Sequence, residues 1–172
     1  IEGILRKPPN FDPSRKYPLI LIIHGGPQWV SSEIGVATRD LHVYPCLQFA
    51  HDDFVVVYPN YRGSIGRGQD FRKLNVNNLG IGDLWDIESL VEHLTAKSFI
   101  NPTKIGCMGW SQGGYISAMA SIHSDKFTAI SVGAGPSNWY SYWAATDIRK
   151  FTHDYLSANP FINQEIYRKT SP

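Results

Sequence analysis

Ser111 has the strongest chemical setting of any side chain in this sequence. It sits in Gly109-Trp110-Ser111-Gln112-Gly113, after an apolar run and before a helical pattern. Strand, tight turn and helix with a serine at the apex are what a nucleophilic serine needs. So tight a turn brings the residues two before and two after the serine against its backbone, where only glycine fits. The serine is then strained, with its hydroxyl projecting beyond the sheet edge. The N–H of Gln112, at the helix start, points where an oxyanion would form. A nucleophile beside an oxyanion donor is the apparatus of acyl transfer.

His24-Gly25-Gly26-Pro27 fits the same chemistry. It follows a second apolar run upstream of Ser111, where lipases and esterases carry a glycine-rich oxyanion loop. Glycines there let the backbone approach a substrate and turn its N–H groups inward. By itself the segment would be an ordinary turn; two such loops after two strands, in this order, support each other.

The elements that must position these loops are legible as apolar patterns. Residues 19–23, 54–58, 105–109 and 127–132 are short runs rich in aliphatic side chains. Runs apolar on nearly every residue suit strands covered on both faces, as in a parallel sheet. Leu84, Ile87, Leu90, Val91 and Leu94 keep helical spacing, with Asp86, Glu88, Glu92 and Lys97 on the other side. Asp83 and Asp86 lie near the start of that helix, where its dipole favours negative charge. Asn101-Pro102 closes this segment before the next strand. A second helix, from about Gln112 to His123, is apolar on most sides and therefore central. Strands alternating with helices predict an open α/β sheet whose four strands are parallel neighbours, with Ser111 at a carboxyl edge.

At 172 residues the chain has the length of one domain with a real core. Sixteen Lys+Arg against 15 Asp+Glu leave a net charge of +1, which gives no electrostatic footprint for nucleic acid. No apolar run approaches the roughly 18 residues of a membrane span. Ile1-Glu2-Gly3 lacks the charged-then-apolar start of a signal peptide. Cys46 and Cys107 make neither a disulfide framework nor a metal site by themselves, and Cys107 reads as a small buried hydrophobe. Their number is compatible with a reducing compartment without establishing one; between cytoplasm and export the sequence leaves the choice open, leaning to the cytoplasm. Neither a cofactor nor a metal is expected.

Four segments, in order, make the chain resemble the catalytic domain of prolyl oligopeptidase family serine peptidases. They are His24-Gly25-Gly26-Pro27; Asn60-Tyr61-Arg62-Gly63-Ser64 with Gly66 and Gly68; Gly82-Asp83; and Gly109-Trp110-Ser111-Gln112-Gly113-Gly114-Tyr115. The pattern is most similar to the acylaminoacyl-peptidase and dipeptidyl-peptidase branches. The resemblance implies an α/β-hydrolase fold, mostly parallel with helices on both faces, and a peptide substrate. It implies an oxyanion hole from the N–H groups of Gln112 and Gly26, with His24 acting through its backbone or shaping the loop. It places Trp139 and Tyr142, with Trp110, around the pocket for the residue before the scissile bond; the same aromatic cluster could equally be core. Gly25, Gly109 and Gly113 support the loops, and Arg62 is expected to brace the 61–64 loop rather than to act in catalysis.

A serine hydrolase of this fold needs serine, acid and histidine in that order along the chain. After Ser111 come Asp125, Asp147 and Asp154, with His123 and His153. His123 ends the nucleophile helix, and Asp147 and His153 share one segment with no strand between them, so His153 reads as a solvated helix residue. His42, His51 and His93 precede the serine and are expected at surface or satisfied positions. The catalytic acid and histidine are therefore expected beyond residue 172. The chain reads as part of a hydrolase domain, incomplete at its C-terminal end and without the family's β-propeller, and weakly active at most by itself; its oligomeric state is open. An esterase with the same elbow and a non-catalytic interaction module are the alternatives.

Overall fold

The computed structural model describes residues 1–33 and 44–172; His42 lies outside the described residues. One sheet organises the molecule, in the spatial order β1-β3-β2-β4-β5. Its strands are β1 (Glu2–Arg6), β2 (Tyr17–Ile23), β3 (Val55–Asn60), β4 (Ile100–Trp110) and β5 (Ala129–Gly133). β2 runs parallel to β3, with Leu19 opposite Val55, and parallel to β4, with Ile23 opposite Gly109. β4 runs parallel to β5, with Trp110 opposite Gly133. The four expected strands are thus parallel neighbours. β1, which the apolar pattern does not announce, adds an antiparallel edge with Glu2 opposite Asn60.

Both faces of the central strands are covered, which explains their unbroken apolar runs. One face receives Leu19, Leu21, Ile23, Val55 and Val57, packed against α3 (Gly82–Thr95) and α4 (Gln112–His123). The other carries Ile20, Ile22, Val56 and Tyr58 against Cys46 and Ala50 of α1 (Cys46–His51). Each aliphatic side chain buried this way contributes about 2 kcal/mol. Leu84, Ile87, Val91 and Leu94 are the buried apolar stripe of α3. Three helices after the sheet, α5 (Trp139–Ala145), α6 (Arg149–Leu156) and α7 (Gln164–Lys169), add Trp139, Tyr155, Leu156 and Tyr167 to the α3–α4 side. A short α2 (Gly68–Lys73) precedes α3. Both cysteines are buried and neither is in a disulfide.

Two boundaries differ from expectation. β4 begins at Ile100 rather than after Pro102, because Ile100 already pairs with Tyr17; the register then jumps, so that Leu19 faces Ile105 and the residues between bulge out. β5 begins at Ala129, since Thr128 is tied to the Ile105 carbonyl by its N–H and its hydroxyl. It is also less buried than its apolar run suggests, with Val132 50% exposed on the sheet edge. Among the described residues no helix is long and apolar enough to cross a membrane.

Because β2, β3, β4 and β5 are parallel, their carboxyl ends lie along one edge. The segments that leave them, 24–27, 61–64, 111–113 and 134–136, meet there.

Candidate active site

Ser111 lies between the last residue of β4 and the first of α4, with φ 58° and ψ −121°. This backbone conformation is costly for a residue with a Cβ and persists only where its surroundings enforce it. They do so by close approach. A Cβ on Gly113 would run into the carbonyl oxygens of Ile23 and His24, and one on Gly109 would run into the backbone of Gly113. Ser111 N–H donates to the Gly133 carbonyl at 2.9 Å, and its own carbonyl accepts from Tyr115 N–H at 2.9 Å. The serine is exposed while Gln112 beside it is buried. As the first residue of α4, Gln112 has a backbone N–H with no partner inside the helix.

The 24–27 loop closes on the serine from the other side. A Cβ on Gly25 would stand 3.3 Å from Ser111 Cβ and 3.8 Å from its Oγ, so bare backbone is what faces the hydroxyl. Gly26 follows with φ 130° and a cis bond to Pro27. The loop is held from below. Tyr61 Oη donates to the His24 carbonyl at 2.8 Å, and the His24 ring stacks on Tyr61 with centroids 4.5 Å apart. His24 Nδ1 faces the Gly25 carbonyl at 2.7 Å, and Nε2 faces Ser64 Oγ at 3.0 Å. Burial pushes the ring down to about 4, against the smaller opposing pull of the Gly25 carbonyl, so it is neutral at pH 7. A neutral ring carries one N–H, and a carbonyl can only accept, so that proton sits on Nδ1. Nε2 then shares the Ser64 hydroxyl proton with the Tyr61 carbonyl, 2.6 Å from Ser64 Oγ. The His24 side chain is thus engaged in shaping the loop.

Arg62 sits in a clasp. Its backbone N–H, Nε and Nη2 all donate to Asp86, at 2.8, 2.9 and 2.8 Å, and its carbonyl accepts from Asn75 Nδ2. Asp86 holds the guanidinium above its ordinary value. The clasp joins the 61–64 loop to α3.

Two cavities of about 280 Å³ flank the serine. Gly26, Ser111, Gln112, Trp139, Tyr142 and Phe151 line one; His24, Gly25, Gly26, Trp29, Tyr44 and Trp110 line the other, which is almost wholly apolar. Among the described residues only Gly26 borders both. Trp110 therefore does not share a pocket with Trp139 and Tyr142, as the sequence led us to expect. The cause is strand alternation: Trp110 has the parity of Met108, which packs on the α1 side, whereas Cys107 faces α3 and α4. Trp139 also differs from a simple pocket residue. It is fully buried, its Nε1–H donates to the Thr170 carbonyl at 2.9 Å, and it meets Tyr115 and Tyr142 edge-on. It is core and cavity wall at once, with Tyr142 at the more open edge.

His123 is exposed at the far end of α4 from Ser111, and the His153 side chain is 76% exposed beside Asp154, which is paired with Lys150. His51 and His93 are exposed as well. Among the described residues, then, none of these histidines is drawn to the serine.

Two arrangements at the site lie beyond what residue spacing shows. Gln28, just past the oxyanion loop, donates to Tyr155 Oη at 3.0 Å and accepts from Arg72 at 2.9 Å, tying the loop to α6 and α2. Asp83, read from sequence as a negative charge favoured near a helix start, is fully buried and accepts from the Gln112 side chain. An acid three residues before Asp86, on the apolar side of the helix, was the available signal.

The prolyl oligopeptidase family model matches residues 42–172. The chain is 31% identical over 156 residues to the uncharacterized peptidase YuxL of Bacillus subtilis (strain 168), covering 90% of this chain and 23% of that protein. It is 33% identical over 144 residues to dipeptidyl peptidase 8 of Homo sapiens, covering 81% of this chain and 16% of that one. The acylaminoacyl peptidase of Pyrococcus horikoshii superposes with a TM-score of 0.81 at 30% identity, over 99% of this chain and 27% of its own. The chain thus spans less than a third of each of these proteins.

Proposed function

The chain belongs to the prolyl oligopeptidase family, and from that premise we propose that it carries the nucleophile and oxyanion side of a serine peptidase acting on short peptides. The observation that supports this best is Ser111 at φ 58°, exposed between two cavities, with the backbone of Gly25 against its Oγ. A scaffold has no use for a strained, exposed serine walled in by glycines.

Ser111 Oγ attacks the scissile carbonyl carbon, and its proton passes to a histidine from outside the described residues. The C–O bond forms while the carbonyl oxygen takes the negative charge. The N–H groups of Gln112 and Gly26 stabilise that charge, a contribution worth about 3 kcal/mol for each well-aimed donor. The C–N bond then breaks, the same histidine returns the proton to the leaving amine, and water repeats the sequence on the acyl-serine. The Trp139–Tyr142 cavity takes the side chain before the cleaved bond, and its aromatic walls suit a small apolar residue or a proline ring.

A fluorophosphonate probe and matched panels of peptide amides and short acyl esters test this reading in the full-length polypeptide that contains these residues. The expected result is stoichiometric labelling lost in Ser111→Ala, together with amide turnover. Labelling that persists in Ser111→Ala would remove the nucleophile assignment, and ester turnover without amide turnover would make the protein an esterase. The exposed positions of His123 and His153 favour a second statement about residues 1–172 alone: with no histidine drawn to Ser111 among the described residues, the serine keeps an ordinary alcohol's reactivity and labels poorly.

A further inference from the structure

Beneath the first turn of α4 lies a carboxyl group that the acyl-transfer scheme leaves unused. Asp83 is fully buried, Oδ2 accepts from Gln112 Nε2 at 3.3 Å, and Oδ1 accepts from Leu84 N–H at 3.0 Å. Around it stand the phenols of Tyr61 and Tyr115, the Arg62 guanidinium, and Asp86 of its own helix. The Arg62 charge is hydrogen-bonded to Asp86 instead, and among the described residues no ion pair includes Asp83. A buried carboxyl group without a cation needs a compensating role or it would only cost stability.

We propose that Asp83 is a positioning residue for the backbone N–H of Gln112: the bond between the two side chains pins the first turn of α4, so that this N–H stays aimed at the oxyanion. The proposal rests on reading Ser111 as the nucleophile. The side chain and backbone N–H of Gln112 leave the same Cα, so anchoring one restricts the other. Displacement of a catalytic donor by about 1 Å is enough to cost rate.

The choice of partner is informative. Burial pushes Asp83 up to about 7, so both of its protonation states occur near neutrality. A primary amide can meet either one. Its N–H₂ donates to the carboxylate, and after rotation by half a turn its carbonyl accepts from the protonated carboxyl. Glutamine at 112 therefore keeps the latch closed on both sides of the titration. Glutamate there would set two carboxyl groups in contact; they can share one proton, but they repel once both ionise.

Steady-state kinetics on a peptide amide, in the full-length polypeptide, provide the test. Asp83→Val and Gln112→Met should each lower kcat about tenfold with little change in KM, and together no more than either alone. Asp83→Asn should recover most of the loss seen in Asp83→Val. Gln112→Glu should gain a fall in kcat toward alkaline pH that the parent lacks and that Asp83→Asn/Gln112→Glu removes. Should Asp83→Val fail to fold, by circular dichroism, Gln112→Met and the alkaline limb still decide. Multiplicative losses in the double variant, or a Gln112→Glu profile without the alkaline limb, would overturn this proposal while leaving a working peptidase. A parent inert to amides and to fluorophosphonate would overturn both readings.

Discussion

The two sides of Ser111 are built from different forces. On the β2–β3 side, the 24–27 and 61–64 loops are fixed by directional contacts: Tyr61 to the His24 carbonyl, His24 to Ser64, and Arg62 to Asp86. On the β5 side, the cavity is walled by rings, Trp139 against Tyr115, Tyr142 and Phe151, with centroids 5.1 to 5.9 Å apart. Hydrogen bonds set atoms in place to tenths of an ångström, as an oxyanion donor requires. Ring packing sets shape and volume and tolerates adjustment. Under the proposed function, the β2–β3 side would stabilise charge and the β5 side would sort side chains.

Substitutions can break that contrast. Gly113→Ala should have the largest effect, because its Cβ meets backbone oxygens of Ile23 and His24 that cannot rotate away. We expect a loss of roughly 4 kcal/mol by denaturant unfolding, with fluorophosphonate labelling abolished. Arg62→Ala strands Asp86 without its bidentate partner and should cost about 3 kcal/mol. If turnover fell while the melting temperature stayed unchanged, Arg62 would be acting in chemistry rather than as a brace. Tyr61→Phe leaves the buried His24 carbonyl without its donor, for about 2 kcal/mol, and should lower kcat more than it raises KM. Tyr142→Ala, on the other side, should cost only about 1 kcal/mol of stability and reorder the preference among substrate side chains. A Tyr142→Ala variant that lost fluorophosphonate labelling as fully as Gly113→Ala would erase the distinction between the two sides.

The strands that position the site were legible because a strand covered on both faces cannot hide. Leu19 to Ile23 and Val55 to Tyr58 are apolar throughout, and the Ser111 turn has its glycines forced by contact. β1 was not legible, since Glu2-Gly3-Ile4-Leu5-Arg6 is a half-exposed edge whose pattern is too short to stand out. The split between Trp110 and Trp139 was legible in principle, because strand parity separates Trp110 from Cys107. The family resemblance grouped the two tryptophans in one pocket, whereas they line separate cavities. The role of Trp139 as both core and wall depends on Thr170, about thirty residues on, and such closures are invisible to local spacing. Asp83 shows the same limit in part: its place on the apolar side of the helix signals burial, but its cover by Tyr61 and Tyr115 comes from elements distant in sequence.

Two buried ionisable groups at the site, His24 and Asp83, also act as opposed proton reservoirs. Released from the fold, His24 returns from about 4 to 6.5, and Asp83 from about 7 to 3.8. Between pH 4 and 6.5, unfolding therefore takes up a proton at His24 and releases one at Asp83. By linkage, the first makes stability rise with pH and the second makes it fall. Across that window their slopes cancel, and the pair leaves the folding equilibrium indifferent to acidity although each member alone would tilt it. Asp83→Asn should expose the rising slope, and His24→Asn the falling one, in unfolding free energies measured from pH 4 to 6.5.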